Sequence, residues 1–73
     1  MGIRALIEVP ARGLSPGMRL LDEDGAIVEV TRAELQRRWG VGAQIVRVWL
    51  RDRHGEREAG WVPPDQLVPI LSP

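Results

Sequence analysis

The sequence predicts a small, mainly β domain with one short helix, and three observations carry this prediction. Apolar and polar residues alternate in several short runs, as in strands that have one face in a core and one in water. Clusters of glycine and proline separate these runs, which is typical of hairpins and tight turns. The chain has 73 residues, enough for one domain, which we assign to residues 1–73.

The first half of the chain predicts one strand and one hairpin. Residues 3–9 alternate as a strand, and the proline- and glycine-rich residues 10–17 form a loop. The Asp24-Gly25 step then indicates a tight turn, because both residue types tolerate the positive φ that such turns require. In the strand after this turn we expect three side chains to point inward: Ala26, Val28 and Val30.

Residues 31–40 predict an inserted helix of about two turns, over residues 32–39. Thr31 and Glu34 have the spacing of a capping box, and Gly40 can adopt the left-handed conformation that ends a helix. Leu35 and Trp39 would then lie one turn apart and pack on the sheet, with Glu34 and Arg38 as an exposed pair.

The second half predicts another hairpin, a corner and a last strand. Residues 44–51 alternate most clearly, residues 52–56 form the turn, and residues 57–62 form the partner strand. Pro63 and Pro64 cannot donate hydrogen bonds to a sheet, so we expect one tight 3₁₀ turn over residues 63–66. Residues 67–70 resume as an edge strand, where Pro69 is tolerated.

Composition narrows the possible functions. The absence of cysteine removes disulfides and thiolate metal sites, so self-association is a reasonable way to stabilise so small a domain. No apolar run reaches the roughly 18 residues that a membrane span requires, and we expect a cytoplasmic protein without a membrane partner. Ten basic and ten acidic residues give no net charge, so no global field attracts nucleic acid.

Several segments together resemble the SH3-like (Src-homology-3-like) barrel family. Residues 60–67, GWVPPDQL, resemble the family's closing motif, and residues 5–9, ALIEV, resemble its opening strand. Val48-Trp49 stands where the family has paired tryptophans. The resemblance implies a barrel of five to six strands. It does not imply binding of proline-rich peptides, because the aromatic ridges that hold them are replaced: the positions read Ile7, Val9, Val48 and Gln66, and only Pro63 is retained.

Two further resemblances involve the same type of barrel. Residues 14–30 are similar to the start of the KOW-like N-terminal domain of elongation factor P, although the family's functional lysine loop has no counterpart in a chain without lysine. The small plasmid-type dihydrofolate reductases are tetrameric barrels whose catalytic stretch would fall near residues 59–62. Those residues are AGWV here, which does not match the catalytic sequence.

No catalytic, metal-binding or cofactor-binding constellation is evident. His54 is the single histidine, and it lies between Asp52 and Glu56 in a predicted turn, where a dry, pre-organised cleft is not expected. We interpret His54 as a solvated turn residue. We therefore expect no catalytic residue, no metal and no cofactor.

The tryptophans are the best indication of function. In the strand over residues 45–51, Val46, Val48 and Leu50 take one face. The wetter face carries Trp49 between arginines, a combination enriched at protein interfaces, unless the predicted helix covers this indole. We therefore predict that a protein partner, or a second copy, binds at the following residues: Ile45, Arg47, Trp49, Arg51, Trp61 and Pro63.

Two other functions stay open. A KOW-like domain could bind RNA or DNA through an arginine patch with Trp49 as a stacking platform. That patch would consist of Arg32, Arg37, Arg38, Arg47, Arg53 and Arg57, to which Arg51 could be added. The third is an enzyme of the reductase type, which would require an oligomeric pore. The leading hypothesis remains a non-catalytic interaction module.

Overall fold

A computed structural model describes residues 6–37 and 43–72 of the chain. In these ranges the protein consists of strands and a single 3₁₀ helix, Ala11–Gly13. The strands are β1 (Leu6–Pro10), β2 (Arg19–Leu21), β3 (Ile27–Arg37), β4 (Gln44–Asp52), β5 (Gly55–Val62) and β6 (Leu67–Leu71). The mainly β prediction is therefore confirmed. No helix in the described ranges has the length and apolar character needed to cross a membrane.

The strands form two antiparallel sheets. One is a four-stranded sheet in the order β2-β3-β4-β5, and the other pairs β1 with β6. In the second sheet Leu6 lies opposite Leu71 and Pro10 lies opposite Leu67. Within the described residues no backbone ladder joins the two sheets into a closed barrel. They are held together by side-chain packing and by the connecting segments.

Both predicted hairpins are present. In the β2–β3 turn, one carboxylate oxygen of Asp22 accepts hydrogen bonds from the amides of Asp24 and Ala26, each at 2.9 Å. Gly25 takes the positive φ of 80° that the turn needs. Ala26 is exposed, so the expectation that it points inward was wrong; it is held in the turn, and burial begins at Val28. In the β4–β5 turn, Asp52 pairs with Gly55 across a two-residue loop.

The predicted helix over residues 32–39 is wrong in its described part, because β3 continues to Arg37. Residues 32–37 pair in register with residues 49–44 of β4. This ladder supplies partners for the backbone along the segment, whereas an isolated two-turn helix is marginal in water. Glu34 accepts hydrogen bonds from the Arg32 side chain and makes no helix cap, and Leu35 is 53% exposed. Arg38, Trp39 and Gly40 lie outside the described residues.

The corner after β5 is one hydrogen-bonded turn. The Gln66 amide donates to the carbonyl oxygen of Pro63 at 3.1 Å, the i to i+3 bond expected of a tight corner. The 3₁₀ helix itself lies elsewhere, in the segment predicted as a loop. The two are joined, because the Ala11 amide donates to Gln66 at 2.9 Å and the Arg12 amide donates to Pro64 at 3.0 Å. An Arg12–Asp65 ion pair covers the junction.

The core is small and aliphatic. Its largest fully buried side chains are valines, and no polar or charged residue of the described ranges is buried. The buried hydrophobic residues are Ala11, Leu14, Val28, Val30, Val46, Val48, Ile70 and Leu71. The valines come from the core-facing side of β3 and β4, which leaves the other side of the four-stranded sheet toward solvent. That side carries the predicted interaction residues.

Candidate functional site

The side of the four-stranded sheet that faces away from the core is here called the outer face. Residues that lie directly opposite one another in a ladder share a face, so the register assigns its members. They include Arg19 and Glu29 toward one end, and Arg32, Glu34, Ile45, Arg47, Trp49, Arg51, Glu56, Glu58 and Trp61 across β3, β4 and β5. The register therefore brings Ile45, Arg47, Trp49, Arg51 and Trp61 together as predicted. Pro63 lies just beyond the last ladder pair of β5.

Charges alternate in sign across the outer face. Arg19 lies opposite Glu29, Glu29 lies opposite Arg51, and Arg51 lies opposite Glu56. The neighbouring rows place Glu34 opposite Arg47, and place Trp49 between Arg32 and Glu58. Opposite charges facing each other across strands stabilise a sheet modestly, by about 0.2–1 kcal/mol per pair. The four arginines of this face are balanced by its four glutamates.

Trp49 lies at the centre of the outer face beneath two guanidinium groups. The Cζ atom of Arg32 is 4.6 Å from the centroid of the indole, and that of Arg47 is 5.1 Å from it. Both distances are within the range of a cation–π interaction. The indole remains partly exposed, and the described residues place no helix over it. Trp49 is thus partly exposed, with two arginine side chains over its ring.

Each of these arginines is held by a carboxylate. One nitrogen of Arg32 donates to both carboxylate oxygens of Glu34, at 2.8 and 2.7 Å. Arg47 donates to Glu58 through its Nε at 2.8 Å and through a second nitrogen. All four side chains are 31–58% exposed, so each ion pair contributes at most about 1 kcal/mol. Their main effect is to fix where the guanidinium groups lie.

Two β-bulges flank Trp49. The register of β3 against β4 shifts between Val30 and Arg32, and that of β4 against β5 shifts between Val48 and Trp49. The extra residues are Thr31 and Ala59. Bulges increase the local twist and re-aim nearby side chains. Around Trp49 they set the angle at which the neighbouring strands present Arg32 and Glu58.

Trp61 extends the apolar part of the outer face. It lies opposite Arg47 in the ladder, and 53% of its surface is exposed. Behind it, an apolar cavity between the sheets is lined by residues that include Leu14, Val48 and Val62. A half-exposed indole beside an ordered guanidinium offers both dispersion contact and hydrogen-bond donors to an incoming surface.

The predicted nucleic-acid patch is not gathered on one face. Arg32 and Arg47 lie on the outer face, whereas Arg37 and Arg57 lie opposite Gln44 and Leu50, on the core-facing side of the sheet. Arg53 lies in the β4–β5 turn, and Arg38 is outside the described residues. Three of these arginines are engaged by carboxylates: Arg32 by Glu34, Arg47 by Glu58 and Arg57 by Asp52.

The turn that contains His54 is built by Asp52. The His54 amide donates to a carboxylate oxygen of Asp52 at 2.7 Å, and His54 itself is exposed. This hydrogen bond, with smaller contributions from Arg57, lowers the pKa of Asp52. Among residues 6–37 and 43–72, no group of three or more potential ligands could hold a metal ion. The arrangement orders a turn.

Sequence reasoning missed the roles of Glu34 and Glu58. The sequence prediction places Glu34 in a helix and gives Glu58 no role. Alternation within residues 31–37, with polar side chains at 32, 34 and 36 and apolar ones at 33 and 35, could have identified a strand. On a strand, Arg32 and Glu34 share a face two residues apart.

No family model, curated protein or solved structure matches this chain.

Proposed function

We propose that the protein is a non-catalytic interaction module that binds a protein partner through the outer face around Trp49. The observation that carries this proposal is the geometry of that indole, which is partly exposed and lies under two arginines. Tryptophan and arginine are the residue types that most often dominate binding energy in protein interfaces. Here they are adjacent and already ordered.

The ordering of the arginines is itself favourable for binding. An interface normally loses about 0.5–1.5 kcal/mol for each flexible side chain that it immobilises. Glu34 and Glu58 already restrict Arg32 and Arg47 in the free protein. A partner that covers Trp49 and Trp61 would therefore lose less entropy than one that binds unrestrained arginines. Its complementary surface would be apolar at the centre, with carbonyl or carboxylate acceptors for the remaining guanidinium hydrogens.

The proposal includes a relation to the SH3-like barrels. Three features support it: the β1–β6 pair, the antiparallel meander from β2 to β5, and the tight corner at residues 63–66 between β5 and β6. This chain would be a variant of that class in which side-chain packing holds the two sheets together. Its partner would bind on the outer face.

A nucleic-acid partner has weaker support. The outer face has balanced charge. Among the other described arginines of the predicted patch, Arg37 and Arg57 lie on the core-facing side of the sheet and Arg53 lies in a turn. Affinity for phosphate backbones depends on clustered uncompensated cations that release counterions. A reductase-like pore also has no support. The sequence contains neither the catalytic match at residues 59–62 nor a catalytic cluster elsewhere.

The test compares variants of the purified protein as immobilised bait. Proteins that the wild type retains are quantified by mass spectrometry, and the strongest is then purified and titrated directly. Trp49→Ala and Arg47→Ala should each weaken that binding about tenfold or more, the loss typical of a hot-spot residue. Glu56→Gln is the matched control, since it is on the same face but away from the indole.

The proposal is wrong if Trp49→Ala and Arg47→Ala bind the partner as tightly as the wild type does. A parallel titration with single-stranded and duplex DNA and RNA at low salt separates the alternative. Affinity that falls steeply as salt rises would favour nucleic acid and count against a protein partner. Circular dichroism of each variant establishes that the fold is retained.

A further inference from the structure

Among residues 6–37 and 43–72, one edge of the four-stranded sheet has no backbone partner along part of its length. Strand β2 covers β3 only at Ile27–Glu29, and just beyond it Val30 exchanges hydrogen bonds with Gly17 and Met18. In the described part of the chain, residues 32–37 pair with β4 alone. No other described strand pairs with their second side, whose amides and carbonyls are a template for another strand.

This free edge carries the charged residues Arg32, Glu34 and Arg37 but lacks other features that usually prevent strand addition. It contains no proline and no lysine, and its one bulge lies at its beginning, at Thr31. By contrast, the opposite edge, β5, carries a bulge at Ala59 and three successive charged residues, 56–58. On the free edge Leu35 is 53% exposed, although it lies on the core-facing side of the sheet opposite buried Val46.

We propose that the free edge of β3 pairs antiparallel with the same edge of a second copy, which makes one continuous sheet from two four-stranded sheets. This inference rests on the proposed function, since it specifies a partner of the interaction module. It uses the edge of the sheet and leaves the outer face open. The absence of net charge means that two copies do not repel one another at long range.

The alternation of side chains restricts the register. Core-facing residues must lie opposite core-facing residues, so one residue of the strand has to lie opposite the same residue of the second copy. The two-fold axis then lies between these two equivalent residues. An axis at Ala33 would place Gln36 against Val30 of the partner subunit, whose backbone is already bonded to the neighbouring loop. An axis at Glu34 would place two like carboxylates directly opposite each other, which destabilises a sheet.

An axis at Leu35 satisfies every pair formed by residues 33–37 of the two copies. Leu35 meets the partner's Leu35, which covers the exposed apolar side chain of each copy. On the outer face, Glu34 lies opposite Gln36 of the partner subunit, an acceptor facing an amide donor. Within one copy Gln36 makes only a long contact of 3.4 Å with Glu34, so it can be redirected. Among the described residues, the last pair joins Ala33 to the partner's Arg37, which carry no like charges.

A single-cysteine variant tests this register. The chain contains no cysteine, so Leu35→Cys introduces one unambiguous thiol. Directly opposite residues in an antiparallel pair have Cα atoms about 4.5–5.5 Å apart, which is within the range that a disulfide can bridge. The matched control is Leu67→Cys, which is similarly exposed at 56% but lies on β6.

Under mild oxidation, Leu35→Cys should form a covalent dimer at least about tenfold faster than Leu67→Cys at the same concentration. Sedimentation should show a concentration-dependent dimer for the wild type and a monomer for Leu35→Glu, which places two carboxylates at the axis. Circular dichroism checks that Leu35→Glu stays folded. A wild-type protein that sediments as a monomer at high concentration, or equal cross-linking of the two cysteine variants, would overturn the inference.

The outcome is separable from the proposed function. Trp49→Ala should leave the dimer intact, because Trp49 lies on β4 and away from the free edge. Leu35→Glu should leave binding of a partner at the outer face intact. Failure of the cross-linking experiment alone refutes the edge pairing, whereas failure of the Trp49→Ala and Arg47→Ala titrations refutes the outer-face proposal.

Discussion

The substitution Val30→Ala tests whether the small aliphatic core holds the two sheets together. Val30 is fully buried in β3, where its amide donates to Met18 and its carbonyl accepts from Gly17. The change removes two methyl groups, a transfer loss of about 1.6 kcal/mol at ~0.8 kcal/mol per buried carbon. The cavity left behind raises the expected cost to about 2–3 kcal/mol. Because the backbone bonds do not depend on the side chain, packing alone changes.

That loss is large for a chain of this size. At roughly 0.05–0.15 kcal/mol per residue, 73 residues give a total free energy of unfolding of about 4–11 kcal/mol. The assay is urea unfolding followed by tryptophan fluorescence. With an m-value of about 1 kcal/mol/M, the midpoint should fall by about 2–3 M.

Two further variants make the result interpretable. Val9→Ala is the matched control, because Val9 is only half-buried in β1 and should cost about 1 kcal/mol or less. Val30→Thr keeps the volume but buries a hydroxyl group, and it should cost about 1–3 kcal/mol unless a partner accepts its proton. A loss below about 1 kcal/mol for Val30→Ala, or no difference from Val9→Ala, would refute the packing argument.

Three smaller effects are expected. Gly60→Ala forces a side chain into a backbone with φ of 127° and should cost about 1 kcal/mol or more in thermal unfolding, whereas the control Gly13→Ala, without such a φ, should be near neutral. Because the pKa of Asp52 is lowered from its ordinary 3.8, the stabilisation it gives is present at neutral pH and is lost as pH falls through the lowered pKa; Asp52→Asn should remove that part of the acid dependence. Arg12→Ala, which breaks an exposed pair with Asp65, should change unfolding by less than about 1 kcal/mol, and a larger loss would contradict the surface assignment.

The hairpins could be predicted because their signals are local. Asp22, Asp24 and Gly25 make the first turn through contacts within four residues of one another. The strand over residues 44–51 has clear alternation, and its assignment of Val46 and Val48 to the core is confirmed. Local chemistry of this kind can be read without knowing the rest of the chain.

The segment over residues 31–37 could not be assigned locally, because its sequence fits both a helix and a strand. Thr31 and Glu34 have the spacing of a helix cap, yet Ala33 and Leu35 also alternate with polar residues as on a strand. The pairing of β3 with β4 decides between them, and that pairing depends on residues seven or more positions away. Tertiary context overrides a short helical signal in this case.

The side chains that surround Trp49 were only partly predictable, because some of them are positioned by strand pairing. Arg47 is two residues away on the same strand, so its position follows from alternation. Arg32 and Glu58 reach the indole through ladder registers that are shifted by two bulges. A bulge displaces every later pair by one residue, so a sequence that does not identify Thr31 and Ala59 as bulges cannot give these neighbours.

The pairing of β1 with β6 has a consequence for how the chain acquires its fold during synthesis. Leu6 and Leu71 are partners in the ladder, so β1 emerges from the ribosome long before the strand that will hold it. Until then the unpaired backbone of this largely apolar strand can pair with other chains, a known route to aggregation. Closing so long a loop also makes formation of this sheet slow relative to the hairpins. Moving β1 behind β6 by circular permutation would turn the slowest contact into a local one.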